Sequence, residues 1–160
     1  MIAWEKIDNK TFENLAFDYM SSNYPDIRWE KTKLTNDGNK DGESIISALP
    51  FNTTIKYWYE AKYSININKS IPKSHLDSTL VSSLLDGHVV VIAFITNAYI
   101  SEDYKRRADI FARKRDNLKI YYINGEEIEN WLSENPTIED KYFHTCLLYT
   151  SDAADDLIGV

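Results

Sequence analysis

The sequence predicts a mixed α/β domain in which a central sheet is flanked by helices. Three observations support this fold class: an apolar helical period near the N-terminus, three consecutive strand-like segments after it, and helices that alternate with strands in the second half. The resulting order is α-β-β-β-α-β-α-β. A chain of 160 residues is long enough for one domain with a substantial core.

The first half of the chain reads as one helix followed by three strands. Apolar residues recur at the helical period, and they are Phe12, Leu15, Ala16, Tyr19 and Met20. Asp8, Asn9 and Thr11 are available as caps for this helix. This helix is predicted to end near Pro25. The strands are predicted over 27–34, 44–49 and 54–64, with a polar turn at 36–42 and a second turn at 50–52.

The second half of the chain reads as alternating helices and strands. Pro72 is placed as the first residue of a helix that ends at Gly87, with a predicted core face of Leu76, Leu80, Val81, Leu84 and Leu85. The unbroken apolar run over 89–96 predicts a strand that is covered on both faces. A basic helix capped by Ser101, a strand over 118–123 and a short helix over 125–135 complete the order.

Composition points to a cytoplasmic protein. The single cysteine, Cys146, excludes a disulfide within one chain, and no apolar run is long enough to span a bilayer. Residues 146–160 resemble translated sequencing-adaptor readthrough, so we expect one domain over 1–145, a non-native tail, and a natural C-terminal part that is missing. The net charge of −7 is unusual for a protein that acts on nucleic acid, since such proteins usually carry a basic surface.

A charged pair stands on the third predicted strand. Glu60 and Lys62 are two residues apart, so their side chains leave the same face of a strand that is otherwise rich in aromatic residues. Burying such a pair is costly unless the charges are paired, bind a metal or take part in chemistry. Asp41 lies one hairpin upstream, and a surface salt bridge without catalytic meaning is the alternative for the pair.

These residues and their order resemble the PD-(D/E)xK nuclease superfamily, and within it the Mrr-like restriction endonuclease domains. The resemblance covers residues 7–132. The matching segments are Phe12 and Glu13 in the first helix, the Gly-bearing acidic turn 37–42, the Glu60-Ala61-Lys62 triplet, and 91–97, which is similar to the strand that ends in Thr-Asn. The resemblance implies a restriction-endonuclease-like core with α-β-β-β-α-β order, and a Mg²⁺-dependent DNA endonuclease that acts in restriction or in defence against foreign DNA.

The resemblance also implies roles for individual residues. Asp41 and Glu60 would hold Mg²⁺, with Mn²⁺ as an alternative, and the Ala61 carbonyl would assist. Lys62 would orient or deprotonate the attacking water. Glu13 is a further acidic candidate, for which an exposed helix carboxylate is the alternative.

Three other residues are candidates for DNA contact. His75 stands at the start of the second core helix, and Arg106 and Arg113 are seven apart on the basic helix, so they share one face. A cap or surface histidine and a solvated basic face are the alternatives. Cleavage of both strands would favour a homodimer, and DNA selection would belong to the missing C-terminal part.

Two other functions stay open from the sequence. A junction resolvase or a transposase-type nuclease subunit of the same superfamily would keep the same metal site. A catalytically inactive nuclease fold that serves as a DNA-binding or sensor module is the non-enzymatic alternative.

Overall fold

The computed structural model describes residues 2–32, 40–48, 53–115 and 118–144. The helices are α1 (Asn9–Asn23), α2 (Lys73–Asp86), α3 (Glu102–Arg113), α4 (Gly125–Ser133) and the short α5 (Pro136–Glu139). The strands are β1 (Glu30–Lys31), β2 (Gly42–Ala48), β3 (Thr53–Lys62), β4 (Val89–Thr96) and β5 (Lys119–Ile123). The predicted mixed α/β architecture and its α-β-β-β-α-β order are confirmed.

The five described strands form one mixed sheet in the order β1-β2-β3-β4-β5. The pairs β1–β2 and β2–β3 are antiparallel, whereas the pairs β3–β4 and β4–β5 are parallel. The parallel half is joined by the helices α2 and α3, as crossover connections require. The strand β3 therefore lies at the centre of the sheet, between an antiparallel and a parallel neighbour.

The helix ends follow local chemistry that the sequence contains. The Asp8 carboxylate accepts a hydrogen bond from the Thr11 N–H at 2.8 Å at the start of α1. The helix α2 ends at Gly87, which has a positive φ of 79° that favours glycine. Pro72 precedes the first turn of α2 and does not belong to it, since the helix begins at Lys73.

The sheet separates two apolar layers. The helices α1 and α4 cover one face, on which Tyr59 and Ala61 of β3 are buried. The helices α2 and α3 cover the other face, on which Trp58 is buried. Because side chains alternate along a strand, Glu60 and Lys62 project to the same side as Trp58.

The predicted core face of α2 is wrong at three positions. Val81, Leu84 and Leu85 are 53%, 51% and 82% exposed, while Leu76 and Leu80 are buried as predicted. The buried face is completed by the small polar residues Thr79 and Ser83. The Ser83 hydroxyl donates to the Leu80 carbonyl at 2.7 Å, so its burial leaves no unsatisfied hydroxyl.

Two further predictions differ from the structure or fall outside it. Within the described part of segment 27–34, only Glu30 and Lys31 are a strand. Most of the predicted turn 36–42 and the turn 50–52 lie outside the described residues, and Gly42 begins β2 and is not part of a turn. The tail over 146–160 also lies outside the described residues.

None of the helices in the described residues has the length and apolar character needed to cross a membrane.

Candidate active site at the end of strand β3

Glu60 and Lys62 meet near the end of β3. The Lys62 Nζ lies 2.8 Å from the Glu60 Oε2, which confirms that the two side chains share one face. Glu60 is only 5% exposed, whereas 29% of the Lys62 side chain is exposed. The two groups therefore form a half-open contact in which the acid is buried and the amine reaches the surface.

Asp41 immediately precedes β2 and is hydrogen-bonded to β3. Its main-chain N–H donates to the Tyr59 carbonyl at 2.9 Å, and its carbonyl accepts from the Thr32 N–H at 3.0 Å. Its side-chain Oδ2 accepts from the Ala61 N–H at 2.7 Å. The antiparallel register between Gly42 and Tyr59 thus carries Asp41 to the segment that bears Glu60.

Asp41 is the acid that most affects the carboxyl group of Glu60. Burial, and then the negative charge and hydrogen bond of Asp41, raise the pKa of Glu60 to about 9, although Lys62 opposes this rise. These effects favour the protonated form of Glu60. Two carboxyl groups that share a site in this way favour either one shared proton or one bound cation.

The donor atoms at this place suit a hard divalent cation. Both side chains offer carboxylate oxygens, which Mg²⁺ and Mn²⁺ prefer. The Ala61 N–H donates a hydrogen bond to Asp41. Because the N–H and the carbonyl of one strand residue point to the same side, the Ala61 carbonyl also faces the edge of β3 on which Asp41 lies. Across the described residues, no three His, Cys, Asp or Glu side chains form a larger metal-binding group.

Glu13 lies on α1, on the other side of the sheet, and is partly buried. Burial, and then the charge of Asp41, raise the pKa of Glu13, while Lys62 lowers it. Its carboxylate also accepts a hydrogen bond from Asn9 at 3.3 Å. Glu13 is thus close enough to share the electrostatic environment of Asp41 and Lys62.

The residue before Asp41 is anchored to the core. The Lys40 Nζ lies 4.7 Å from the centre of the Trp58 ring and 3.9 Å from a Glu43 carboxylate oxygen. The Trp58 indole N–H donates to the same Glu43 oxygen at 2.7 Å. These contacts fix the chain on both sides of Asp41 against a buried side chain.

The three predicted DNA-contacting residues lie on the helices that cover the Glu60 side of the sheet. His75 is exposed in the first turn of α2, and Arg106 and Arg113 are exposed on α3. Arg106 forms an ion pair with Asp103 at 3.3 Å. All three side chains are accessible to solvent, but Arg113 ends α3 beside Leu118 and Lys119, at the end of the sheet where β5 begins and not where β3 ends at Lys62.

Gly42 contributes to the site through the space it leaves. A Cβ at Gly42 would lie 1.9 Å from a carbon of the Tyr59 ring, so a side chain would displace the strand that carries Asp41. The sequence contained this glycine in the predicted turn, but its role depends on the pairing of β2 with β3.

Asn97 is a second residue whose role the sequence did not indicate beyond the 91–97 motif. It is 2% exposed and follows β4 directly. Its side-chain amide bonds to both main-chain groups of Ser64, two residues after Lys62.

Comparisons with known proteins find similarity among solved structures only. No protein-family model matches the chain, and no curated protein matches it. Among solved structures, the chain is similar to the DNA modification-dependent restriction endonuclease AspBHI, with 16% identity and a TM-score of 0.49. That similarity covers 86% of this chain and 40% of the other, so the chain spans less than half of that protein.

Proposed function

We propose that this chain is a Mg²⁺-dependent DNA endonuclease domain of the Mrr-like type, which acts in restriction or in defence against foreign DNA inside the cell. The observation that carries the proposal is the convergence of Asp41, Glu60 and Lys62 at the end of β3. This combination has the composition that phosphodiester hydrolysis requires. Two acids can hold a cation, and an amine lies beside them.

Asp41 and Glu60 would hold the cation, with the Ala61 carbonyl as a further oxygen donor. When bound, Mg²⁺ neutralises charge on the phosphate and makes water a better nucleophile. The elevated pKa of Glu60 means that a cation has to replace a proton at this carboxyl group. Glu60 is therefore expected to ionise when the cation binds.

Lys62 would act on the attacking water or on the phosphate. Its Nζ is held 2.8 Å from Glu60 and reaches the surface, so one amine contacts both the buried acid and the solvent. A lysine so placed can accept a proton from water or stabilise negative charge on the phosphate oxygens. Water then adds across the phosphodiester, which leaves one phosphate end and one hydroxyl end.

Two sets of residues would assist this reaction. Glu13 would tune the charge around Asp41 and Lys62 from the opposite side of the sheet. His75, Arg106 and Arg113 would contact DNA phosphates, which position a duplex without reading its sequence. The net charge of −7 predicts weak DNA affinity at physiological salt, because few cations are available for counterion release.

Plasmid cleavage tests the proposal. Supercoiled plasmid is incubated with Mg²⁺ and with wild type, Asp41→Ala, Lys62→Ala or the exposed-site control Lys73→Ala. We expect nicked or linear DNA with wild type and the control, and none with the two site variants. Equal nicking by all four proteins would end the nuclease proposal, and preferential cleavage of a branched junction would redirect it to a resolvase.

A further inference from the structure

The pairing of β3 with β4 ends at Lys62, and beyond this point the main chain is hydrogen-bonded to the side chain of Asn97. The last paired residues of β3 and β4 are Lys62 and Thr96. Beyond them, the Asn97 Oδ1 accepts from the Ser64 N–H at 2.7 Å, and the Asn97 Nδ2 donates to the Ser64 carbonyl at 2.8 Å. One primary amide thus satisfies both main-chain groups of a residue that β4 no longer reaches.

Asn97 is itself held in place from two directions. The Ala98 N–H donates to the Thr96 hydroxyl at 3.1 Å, and the Gly125 N–H donates to the Ala98 carbonyl at 2.9 Å. A Cβ at Gly125 would lie 2.1 Å from the Asn97 carbonyl oxygen, so α4 begins in direct contact with this residue. The amide is therefore part of a rigid junction between β4 and α4.

The residue between Lys62 and Ser64 is also anchored. The Tyr63 hydroxyl donates to the Trp4 carbonyl at 2.9 Å, and the Tyr63 ring lies 6.0 Å from that of Phe12. These contacts lie on the α1 side of the sheet, opposite the side on which Lys62 projects. Tyr63 fixes the chain on that side, and the Asn97 amide fixes its continuation along the sheet.

We propose that Asn97 is a positioning residue for Lys62: its bonds to Ser64 hold the end of β3 so that the Lys62 amine stays against Glu60. The catalytic consequence of this inference rests on the proposed nuclease function. The two hydrogen bonds between Asn97 and Ser64, here called the Asn97 clamp, do not depend on that function. Lys62 is the final residue of β3. Without the Asn97 amide, strand pairing would hold the chain before Lys62 but not the chain after it. A displacement of about 1 Å at a catalytic group can reduce a rate about 100-fold.

The first arm of the test does not depend on activity. Wild type, Asn97→Ala and the matched control Asn66→Ala are compared by amide hydrogen exchange and by the rate at which Lys62 is acetylated, read by mass spectrometry. Asn66 is a suitable control because it makes a side-chain bond within the same loop, to the Asn68 N–H at 3.0 Å. In Asn97→Ala we expect exchange around Ser64 and acetylation of Lys62 to rise at least fivefold, with β4 and β5 unchanged.

The second arm measures catalysis and cation binding separately. We expect Asn97→Ala to lower the single-turnover cleavage rate at saturating Mg²⁺ by about 10- to 100-fold, with the Mg²⁺ dissociation constant within twofold of wild type. The control Asn66→Ala should leave both values unchanged. If Asn97→Ala does not fold, Asn97→Asp carries the same test, because it keeps the volume and the acceptor for Ser64 while it removes the donor.

The outcomes separate this inference from the proposed function. Unchanged Lys62 acetylation in a folded Asn97 variant would overturn the positioning role, as would unchanged cleavage despite faster exchange at Ser64. A parallel loss of Mg²⁺ affinity and cleavage would also overturn it, since that pattern indicates general damage to the site. A wild type that never cleaves DNA would end the nuclease proposal, whereas faster Lys62 acetylation in Asn97→Ala would still support the clamp.

Discussion

The Asp41 carboxylate accepts a hydrogen bond from the Ala61 N–H at 2.7 Å, so an acid that immediately precedes β2 is fixed beside the residue that separates Glu60 from Lys62. This bond needs an oxygen acceptor but not a negative charge. We therefore expect Asp41→Asn to keep the melting temperature of wild type, because the amide oxygen can still accept from the Ala61 N–H. The same variant should have lost Mg²⁺-dependent cleavage.

Asp41→Ala is the matched comparison for this prediction. It removes the acceptor as well, and leaves the Ala61 N–H without its partner, at a cost of about 1–3 kcal/mol in the free energy of unfolding. Thermal unfolding without added metal checks both variants. A melting temperature for Asp41→Asn as low as that of Asp41→Ala would show that the charge itself holds the fold.

The elevated pKa of Glu60 predicts a pH-dependent stability. In the unfolded chain this carboxyl group releases its proton near pH 4.5, whereas in the folded protein it keeps the proton up to about pH 9. Because the folded state binds more protons between these values, the stability of wild type should fall as pH rises through this window. Glu60→Gln has no proton to lose, so we expect it to be more stable than wild type by about 1–3 kcal/mol at pH 8.

Urea unfolding of both proteins at pH 5 and pH 8, with a chelator present, measures this difference. The two proteins should be closer in stability at pH 5, where Glu60 is protonated in the folded state and increasingly protonated in the unfolded one. Parallel stability curves across this range would mean that Glu60 is ionised in the folded protein.

Lys62 should affect the rate of cleavage more than the binding of the cation. We expect Lys62→Met, which keeps the apolar part of the side chain, to reduce the single-turnover rate by about 10²- to 10⁴-fold. Its Mg²⁺ affinity should stay within a few-fold of wild type, because Lys62 supplies no oxygen donor. Lys62→Arg keeps the charge but cannot accept a proton, so we expect it to stay impaired. A Lys62→Met rate within threefold of wild type would remove Lys62 from the reaction.

The two faces of α2 should respond differently to the same substitution. Leu76 is 1% exposed, and Leu76→Ala should lower the free energy of unfolding by about 2–5 kcal/mol. Leu85 is 82% exposed, and Leu85→Ala should change it by less than about 0.5 kcal/mol. Chemical denaturation of the two variants checks this pair. A large effect at Leu85 would show that its side chain is covered in solution.

Much of the fold could be predicted because its elements have strong local signals. The aromatic and β-branched run of β3, the unbroken apolar run of β4 and a set of capping residues that includes Asp8 are visible in the residues themselves. The face of α2 could not be predicted from hydrophobicity, because Ser83 is buried through a bond to its own helix. Leucines that stay exposed carry the same sequence signal as leucines in a core.

The candidate site was partly predictable for a similar reason. The spacing of Glu60 and Lys62 is local, and it fixes their common face whatever the rest of the chain does. The contact of Asp41 with Ala61 depends on the register of β2 against β3, and the Asn97 clamp depends on where two parallel strands end together. Both contacts join segments that are far apart in the sequence. The sequence therefore indicated Asp41 and the segment 91–97, but it did not predict the hydrogen bonds that these residues make.

Calorimetric titration with Mg²⁺ tests the central claim most directly, since that claim is that Asp41 and Glu60 share one cation. We predict one binding site in wild type, with release of protons near pH 7.5 because the cation displaces the Glu60 proton. The released protons are measured by repeating the titration in buffers of different ionisation enthalpy. Asp41→Asn and Glu60→Gln should each abolish the site, whereas the exposed-site control Glu126→Gln should retain it. Binding by Asp41→Asn with the affinity and proton release of wild type would contradict the account.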